Sequence, residues 1–258
     1  MKRVFKPIEK AYYRALGYYP TTIHDLEFRC DPYNAKFWKT VSRGRWEAHT
    51  YKILARFLSQ DSVYCDIGAW IGPTAIFAAR KCKQVFCFEP DILAYEHLLW
   101  NIRLNRLHNV IPFNLALTDN NGIRPMASFG GKLGDGMTSL LKTDRAERTT
   151  HALCMTWETW TAVFKPERID FMKIDIEGGE FVLLPTIKDY LALRKPIVYL
   201  STHAPYLDGN RRREEMQRVI QVMEIYGQCF NDALEGIKLQ DLTTDDAMNN
   251  FRSYLFMD

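Results

Sequence analysis

The run Val63-Tyr64-Cys65-Asp66-Ile67-Gly68-Ala69-Trp70-Ile71-Gly72, followed by Val85-Phe86-Cys87-Phe88-Glu89-Pro90, constrains this chain more than any other stretch. A short apolar strand closed by a glycine turn, then a helix, then a second apolar strand ending in Glu, is one mononucleotide-binding half of an open α/β sheet. Such a half holds an adenosine-type cofactor at the carboxyl ends of its strands.

The glycine spacing narrows the choice of cofactor. A dinucleotide fingerprint reads GxGxxG, because its middle glycine lets the pyrophosphate reach the backbone and the helix N-terminus. Here Gly68 and Gly72 enclose Ala69 and the bulky Trp70. S-adenosylmethionine, which has no phosphate, fits this turn better. It needs a close turn beside its amino acid portion and a carboxylate for its ribose. Glu89 closes the second strand, where a carboxylate can accept bonds from two neighbouring hydroxyls. Its alternative role, complementing the next helix as an N-terminal acid, is already served by Asp91.

Alternating strand and helix after residue 60 predicts a doubly wound, mostly parallel sheet. Strands are expected at Val63 to Ile67, Gln84 to Phe88, Val110 to Phe113, Ile169 to Ile174 and Ile197 to Leu200. Helices are expected at Pro73 to Lys81, Asp91 to Asn105 (with Leu93, His97 and Trp100 facing inward) and Glu214 to Tyr226. Gln228 to Phe230 and Ser253 to Met257 supply a closing, antiparallel pair. The reading is of two units, an N-terminal helical cap over 1–58 and a cofactor-binding domain over 59–258. In the first, Tyr12, Tyr13, Tyr18 and Tyr19 interleave with basic residues. A packed cap is the preferred reading of these tyrosines over a nucleic-acid or anionic membrane contact, because the formal net charge is only +3. The glycine-rich stretch Phe129 to Ser139 reads as a lid beside the cofactor or as a hairpin connector.

The cysteines at 30, 65, 82, 87, 154 and 229 form no CxxC pair and read as small core residues of a reducing compartment. No apolar run is long enough to cross a bilayer, and no secretion signal is evident at the start. A cytoplasmic location is the default expectation.

A second signal is Ile169-Asp170-Phe171-Met172-Lys173-Ile174-Asp175-Ile176-Glu177-Gly178-Gly179-Glu180, which gathers charges at the carboxyl end of a buried strand. Together with Asp66 to Gly72, Phe88-Glu89-Pro90 and Asn114-Leu115-Ala116-Leu117-Thr118-Asp119, it resembles the successive motifs of the FkbM family of S-adenosylmethionine-dependent methyltransferases. The resemblance runs over residues 60–205. It implies a class I, Rossmann-like methyltransferase fold: a seven-stranded sheet with an antiparallel edge strand. It also implies methyl transfer to a hydroxyl of a sugar, polyketide or other small metabolite, with a glycan or lipid-linked sugar among the candidates and no nucleic acid. By that analogy Asp66, Gly68 and Gly72 shape the methionine side of the pocket, with Ala69 and Trp70 in the same turn. Glu89, followed by Pro90, holds the ribose, and Ala116 lies near the adenine. The chain departs from the family at Trp70, where a modest polar residue is common. It departs again at Ser201, where an acidic residue often stands two positions before the histidine of the fifth strand.

Methyl transfer from a sulfonium is an in-line displacement, so alignment lowers much of the barrier, and an alcohol acceptor must also lose its proton. His203, just past the strand Ile197 to Leu200, is the candidate base, with Asp175 as its orienting carboxylate. A surface histidine in the turn up to Pro205 is the competing explanation. A metal variant would use Asp175, Glu177, Glu180 and His203 as ligands to a divalent ion, and ranks below the metal-free route for want of a tight ligand spacing. A nicotinamide-dependent oxidoreductase and a non-catalytic S-adenosylmethionine-binding protein remain as alternatives. Arg211, Arg212 and Arg213 read as a solvated helix start.

Overall fold

A computed structural model describes residues 5–141 and 149–258; residues 1–4 of the expected cap lie outside it. The chain begins with α1 (Phe5–Leu16), a hairpin of β1 (Tyr19–Ile23) and β2 (Leu26–Cys30), α2 (Ala35–Val41) and α3 (Ala48–Phe57). The helices follow the expectation, but the hairpin does not. Its alternation of buried and exposed residues is that of a strand pair lying on a core, with His24 at φ 55 in the tight turn.

The alternating part follows as β3 (Val63–Ile67), α4 (Pro73–Ala79), β4 (Gln84–Phe88), α5 (Ile92–Leu104) and β5 (Val110–Phe113). Next come four short strands, β6 (Ala116–Leu117), β7 (Gly122–Ser128), β8 (Thr138–Ser139) and β9 (Thr149–Met155), and then α6 (Trp157–Phe164). The chain continues through β10 (Phe171–Ile174), α7 (Glu180–Arg194), β11 (Ile197–Thr202), α8 (Gly209–Met223), β12 (Gln228–Asn231), α9 (Asp245–Asn249) and β13 (Arg252–Met257).

Seven strands form the main sheet in the order β12-β13-β11-β10-β3-β4-β5. From β11 to β5 the pairing is parallel, while β13 runs antiparallel to both β11 and β12. This is the class I methyltransferase sheet. The chain winds outward from β3 to β5 and then returns to β10 on the other side, so the topological switch point lies between β3 and β10, where such sheets bind ligands.

Strand alternation divides the core. Val63, Cys65 and Ile67 face one layer with Met172, Ile174 and Trp160, whereas Tyr64 and Phe171 face the other with Phe77, Ile53 and Trp38. Both faces are covered, which is why these strands read as apolar runs interrupted only by Asp66 and Lys173. Asp66 and Lys173 are register partners on the second face, so the sheet itself brings their charges together. All six cysteines are buried and unpaired.

Three expectations need correction. In α5 the buried arc is Ala94, Leu98, Asn101 and Ile102, while Leu93 is exposed and His97 and Trp100 are half-buried. Apolar residues surround this helix, so the period is right and the phase is not. The helix α8 starts at Gly209 rather than Glu214, because the charged run is helix-compatible and pairs Arg211 with Glu215 and Glu214 with Arg218 at i,i+4. Finally, the glycine stretch does connect a hairpin, β7 to β8, but that hairpin is part of a larger structure that the sequence reading lacked. It belongs to a second sheet ordered β6-β9-β7-β8.

Candidate active site

The turn after β3 is held by two neighbours. Gly68 N and Ala69 N both donate to the Phe88 carbonyl, at 3.1 and 2.9 Å, while Asp175 N donates to the Ile67 carbonyl at 2.9 Å. Gly68 adopts φ +90°, and a Cβ there would lie 1.8 Å from the Asp175 carbonyl oxygen. Only glycine fits a backbone packed this closely against another. Gly72 also has φ +90° and lies against Leu98.

Trp70 does not obstruct the pocket. Its amide donates to Glu89 Oε2 at 2.8 Å, and its indole Nε1 donates to the Gly134 carbonyl at 2.9 Å. The indole ring stands edge-on to Phe37, with centroids 4.5 Å apart. The side chain that departs from the family pattern therefore fastens the glycine loop and the N-terminal segment to the cofactor turn. Asp91, the N-cap of α5, secures the same loop from below by accepting from Gly134 N at 2.5 Å and Thr138 Oγ1 at 2.8 Å.

Beneath this loop, a cleft opens at the ends of β3, β4 and β10. Gly68, Trp70, Glu89, Pro90, Ala116 and Asp175 line it. Ala69 faces the adjoining groove. Asp66 lies behind the turn, fully buried, accepting from Thr74 Oγ1 at 2.6 Å with Lys173 Nζ 3.6 Å from its other oxygen. Burial raises the Asp66 pKa against the pull of Lys173. Glu89 accepts from Asp91 N at 2.7 Å as well as from Trp70 N. Burial nevertheless pushes Glu89 up to about 8, so near neutral pH it can donate as well as accept. A carboxyl, bare backbone and an apolar floor of Leu115, Leu117 and Met126 suit an uncharged ribose and base.

The charged end of the site lies where β10 and β11 finish. His203 is buried; its Nδ1 lies 3.1 Å from Glu180 Oε1, which also accepts from the His203 amide at 2.7 Å. The other ring nitrogen, Nε2, faces Asp175 at 3.5 Å and Glu177 at 3.6 Å. The imidazole is thus fixed by Glu180, the first residue of α7, and not by Asp175, because Nδ1 points to the helix and Nε2 to the groove. Burial alone would lower the His203 pKa, but Glu180, Asp175 and Glu177 outweigh it and bring it to about 9. Burial pushes Glu177 up to about 7. Although burial opposes ionisation of Asp175, Lys173 at 3.1 Å and His203 hold it below the ordinary range.

Asp175, Glu177 and His203 offer ligand atoms within 4.8 Å of one another, a spacing that a divalent ion could bridge. Glu180 does not join that set, since its carboxylate is taken by His203 and by Gly178 N.

The domain model of the FkbM methyltransferases matches residues 66–229. The chain belongs to the FkbM methyltransferase family. This is a family of S-adenosylmethionine-dependent enzymes, and the cofactor assignment follows from membership. A curated relative, the uncharacterized protein MJ1452 of Methanocaldococcus jannaschii, is 33% identical over 57 residues, and the match spans 22% of each chain. The FkbM methyltransferase structure from Methylobacillus flagellatus aligns over 99% of this chain and 70% of its own, at 14% identity and a TM-score of 0.48. A tRNA methyltransferase structure from M. jannaschii aligns over 93% of this chain and 56% of its own, at 14% identity and a TM-score of 0.44. No helix among the described residues is long and apolar enough to cross a membrane.

Sequence reasoning missed several groups in this FkbM site. Glu47 and Trp46, at the start of α3, wall the groove beside Asp175 and Glu177. Glu47 is exposed and sits at φ 42, yet the surrounding protein and the Asp175 charge push its carboxyl up to about 7. It shares a groove wall with Ser201 and so brings a carboxylate to that corner of the groove. Tyr206, stacked parallel to His203 at 5.7 Å, and Phe251 complete the wall. Nothing in their local sequence marks these residues.

Proposed function

We propose that this chain transfers a methyl group from S-adenosylmethionine to a hydroxyl of a sugar, polyketide or other small metabolite. One observation carries the reading: Asp175 and Glu177 line both the cofactor cleft and the groove beside it, so the acid–base groups stand at the junction of the two. The bound cofactor supplies an activated methyl and a thioether leaving group. In this reading the Gly68 turn receives the methionine portion, Glu89 the ribose, and Ala116 and Pro90 flank the base. Residues 1–58 serve as the cap of the catalytic unit 59–258. Trp46 and Phe37 on one side, with Tyr206 and Phe251 on the other, offer aromatic faces to an acceptor ring.

His203 acts as the base through Nε2, with Glu180 holding its ring in place. Deprotonation by His203 and in-line positioning account for the chemistry without a metal. Activity is accordingly expected to survive exhaustive chelation of divalent ions; loss on chelation and recovery with one added ion would replace this route with the metal one.

The decisive experiment incubates the purified protein with S-adenosylmethionine and metabolite or glycan extracts, scored by mass spectrometry for a gain of one methyl on oxygen. Transfer only to nitrogen or carbon would overturn the hydroxyl assignment. Cofactor binding has its own test. Glu89→Ala should weaken S-adenosylmethionine binding by about 10- to 100-fold in calorimetry, the scale of a lost hydrogen-bonding carboxyl. Glu89→Gln, which keeps one donor and one acceptor, should lose less; equal losses would argue that the ionised form does the holding.

A further inference from the structure

Glu47 is the N-cap of α3, yet its carboxylate serves no cap. Its carbonyl takes the first helical bond, from Tyr51 N at 3.4 Å, but the side chain accepts from none of the opening amides, as an N-cap acid ordinarily would. Its backbone is left-handed, at φ 42, a conformation that costs a side-chain-bearing residue about 1–2 kcal/mol and that glycine adopts freely. Trp46, edge-on to Phe37 at 5.0 Å and tilted against Tyr51 at 6.0 Å, holds the segment there. Strain kept in place by its surroundings points to a side chain needed where it stands.

That place is the groove beside the cofactor turn, which is continuous with the cleft: Gly68, Trp70 and Asp175 line both. The other acids of the groove are already matched. Asp175 has Lys173 at 3.1 Å, Glu177 faces His203 at 3.6 Å, and Asp135 accepts from Ser128 Oγ at 2.7 Å. The charge of Lys173 reaches Glu47, but its ammonium is spent on Asp175 and on Asp66 at 3.6 Å. Among the described residues Glu47 has no Lys, Arg or His in ion-pair contact. The Thr50 hydroxyl hydrogen-bonds to it, which leaves lone pairs free for a cation. S-adenosylmethionine brings one, since its methionine portion ends in an α-ammonium with three donors. We infer that Glu47 accepts this α-ammonium, so that the N-terminal segment supplies a wall of the cofactor site. The inference rests on the proposed placing of the methionine portion at the Gly68 turn. The surrounding protein and the Asp175 charge push the Glu47 carboxyl up to about 7, and an arriving ammonium offsets that repulsion.

Calorimetry with two ligands uncharged at sulfur tests it. S-adenosylhomocysteine and 5′-methylthioadenosine share the adenosine and a thioether, and only the first carries the amino acid end. The wild type should bind S-adenosylhomocysteine more tightly. Glu47→Gln should weaken that binding about tenfold or more, the scale of a lost charge-assisted hydrogen bond, and leave 5′-methylthioadenosine unaffected. Glu47→Gly, which relieves the left-handed backbone, should show the same selective loss while melting no lower than the wild type. Equal S-adenosylhomocysteine affinity in wild type and Glu47→Gln overturns the inference and leaves the placing of the cofactor standing. So does an equal loss for both ligands, since the carboxylate would then act on the turn and not on the amino acid end. A wild type that binds the two ligands equally removes the placing itself, and the inference with it.

Discussion

Gly68→Ala is expected to lower the melting temperature by about 10 °C and abolish measurable S-adenosylmethionine binding. Two costs add at this position. An L-residue at φ +90° is strained by about 1–2 kcal/mol. The added methyl would also lie 1.8 Å from the Asp175 carbonyl oxygen, which is backbone and cannot swing aside. Relief requires the ends of β3 and β10 to part, at a further cost of about 1–3 kcal/mol. A total of about 2–5 kcal/mol is a large share of the stability of an ordinary domain. Gly131→Ala is the control: that residue has φ +82° with nothing within 4 Å of a built Cβ, so it carries the strain without the clash. Differential scanning calorimetry on both should separate them by several degrees. Equal, mild effects would mean that the β3 and β10 backbones do not meet as described.

The second large effect is on turnover. His203→Gln should cut turnover by about 10²- to 10⁴-fold, the usual contribution of a positioned base, while leaving S-adenosylmethionine binding nearly intact. The pH profile gives the sign. A base works when unprotonated, and the His203 pKa is raised to about 9, so kcat/KM for the acceptor should climb with pH and level off above about 9. The groups that set this value are Glu180 at Nδ1, with Asp175 and Glu177 at Nε2. Glu180→Gln removes the strongest of the three, so the inflection should move to lower pH, toward the ordinary 6.5 of histidine. A purely structural Glu180 would lower stability without moving the profile. A profile flat from pH 6 to 9 would remove His203 as the base and leave Asp175 in that role, whereas an inflection near 7 would point to Glu177.

The sheet was legible because each of its strands carries a local signature. Val63 to Ile67 and Gln84 to Phe88 are apolar on both faces, and Gly68 marks the switch point. The glycine turn after β3, Glu89 and the acidic run after β10 stand out in the sequence for the same reason, since each is contiguous, and the structure brings them to one edge of the sheet. The phase of α5 was not legible, because Leu93 and Trp100 obey the same period as Leu98 and Asn101. The second sheet was not legible: β7 holds Gly122 and Pro125, residue types that ordinarily weaken a strand, yet it pairs with β9 from Gly122 to Ala127. Glu180 begins α7 as an acid in the first turn, which its place after two glycines suggests. Its grip on His203 depends on how α7 packs beside the end of β11, and no spacing encodes that. Glu47 is harder still, because it reaches the groove from the opposite end of the sequence through a left-handed backbone turn.

Trp70 and Asp91 both hold Gly134, one through its carbonyl and the other through its amide. Each belongs to an element that also touches Glu89, so whatever moves that carboxyl is felt by the roof of the cleft. The four hydrogen bonds thus tie the Glu89 carboxyl to Gly134 through two separate routes, and the connection between β7 and β8 is held by the same residues that hold the turn after β3.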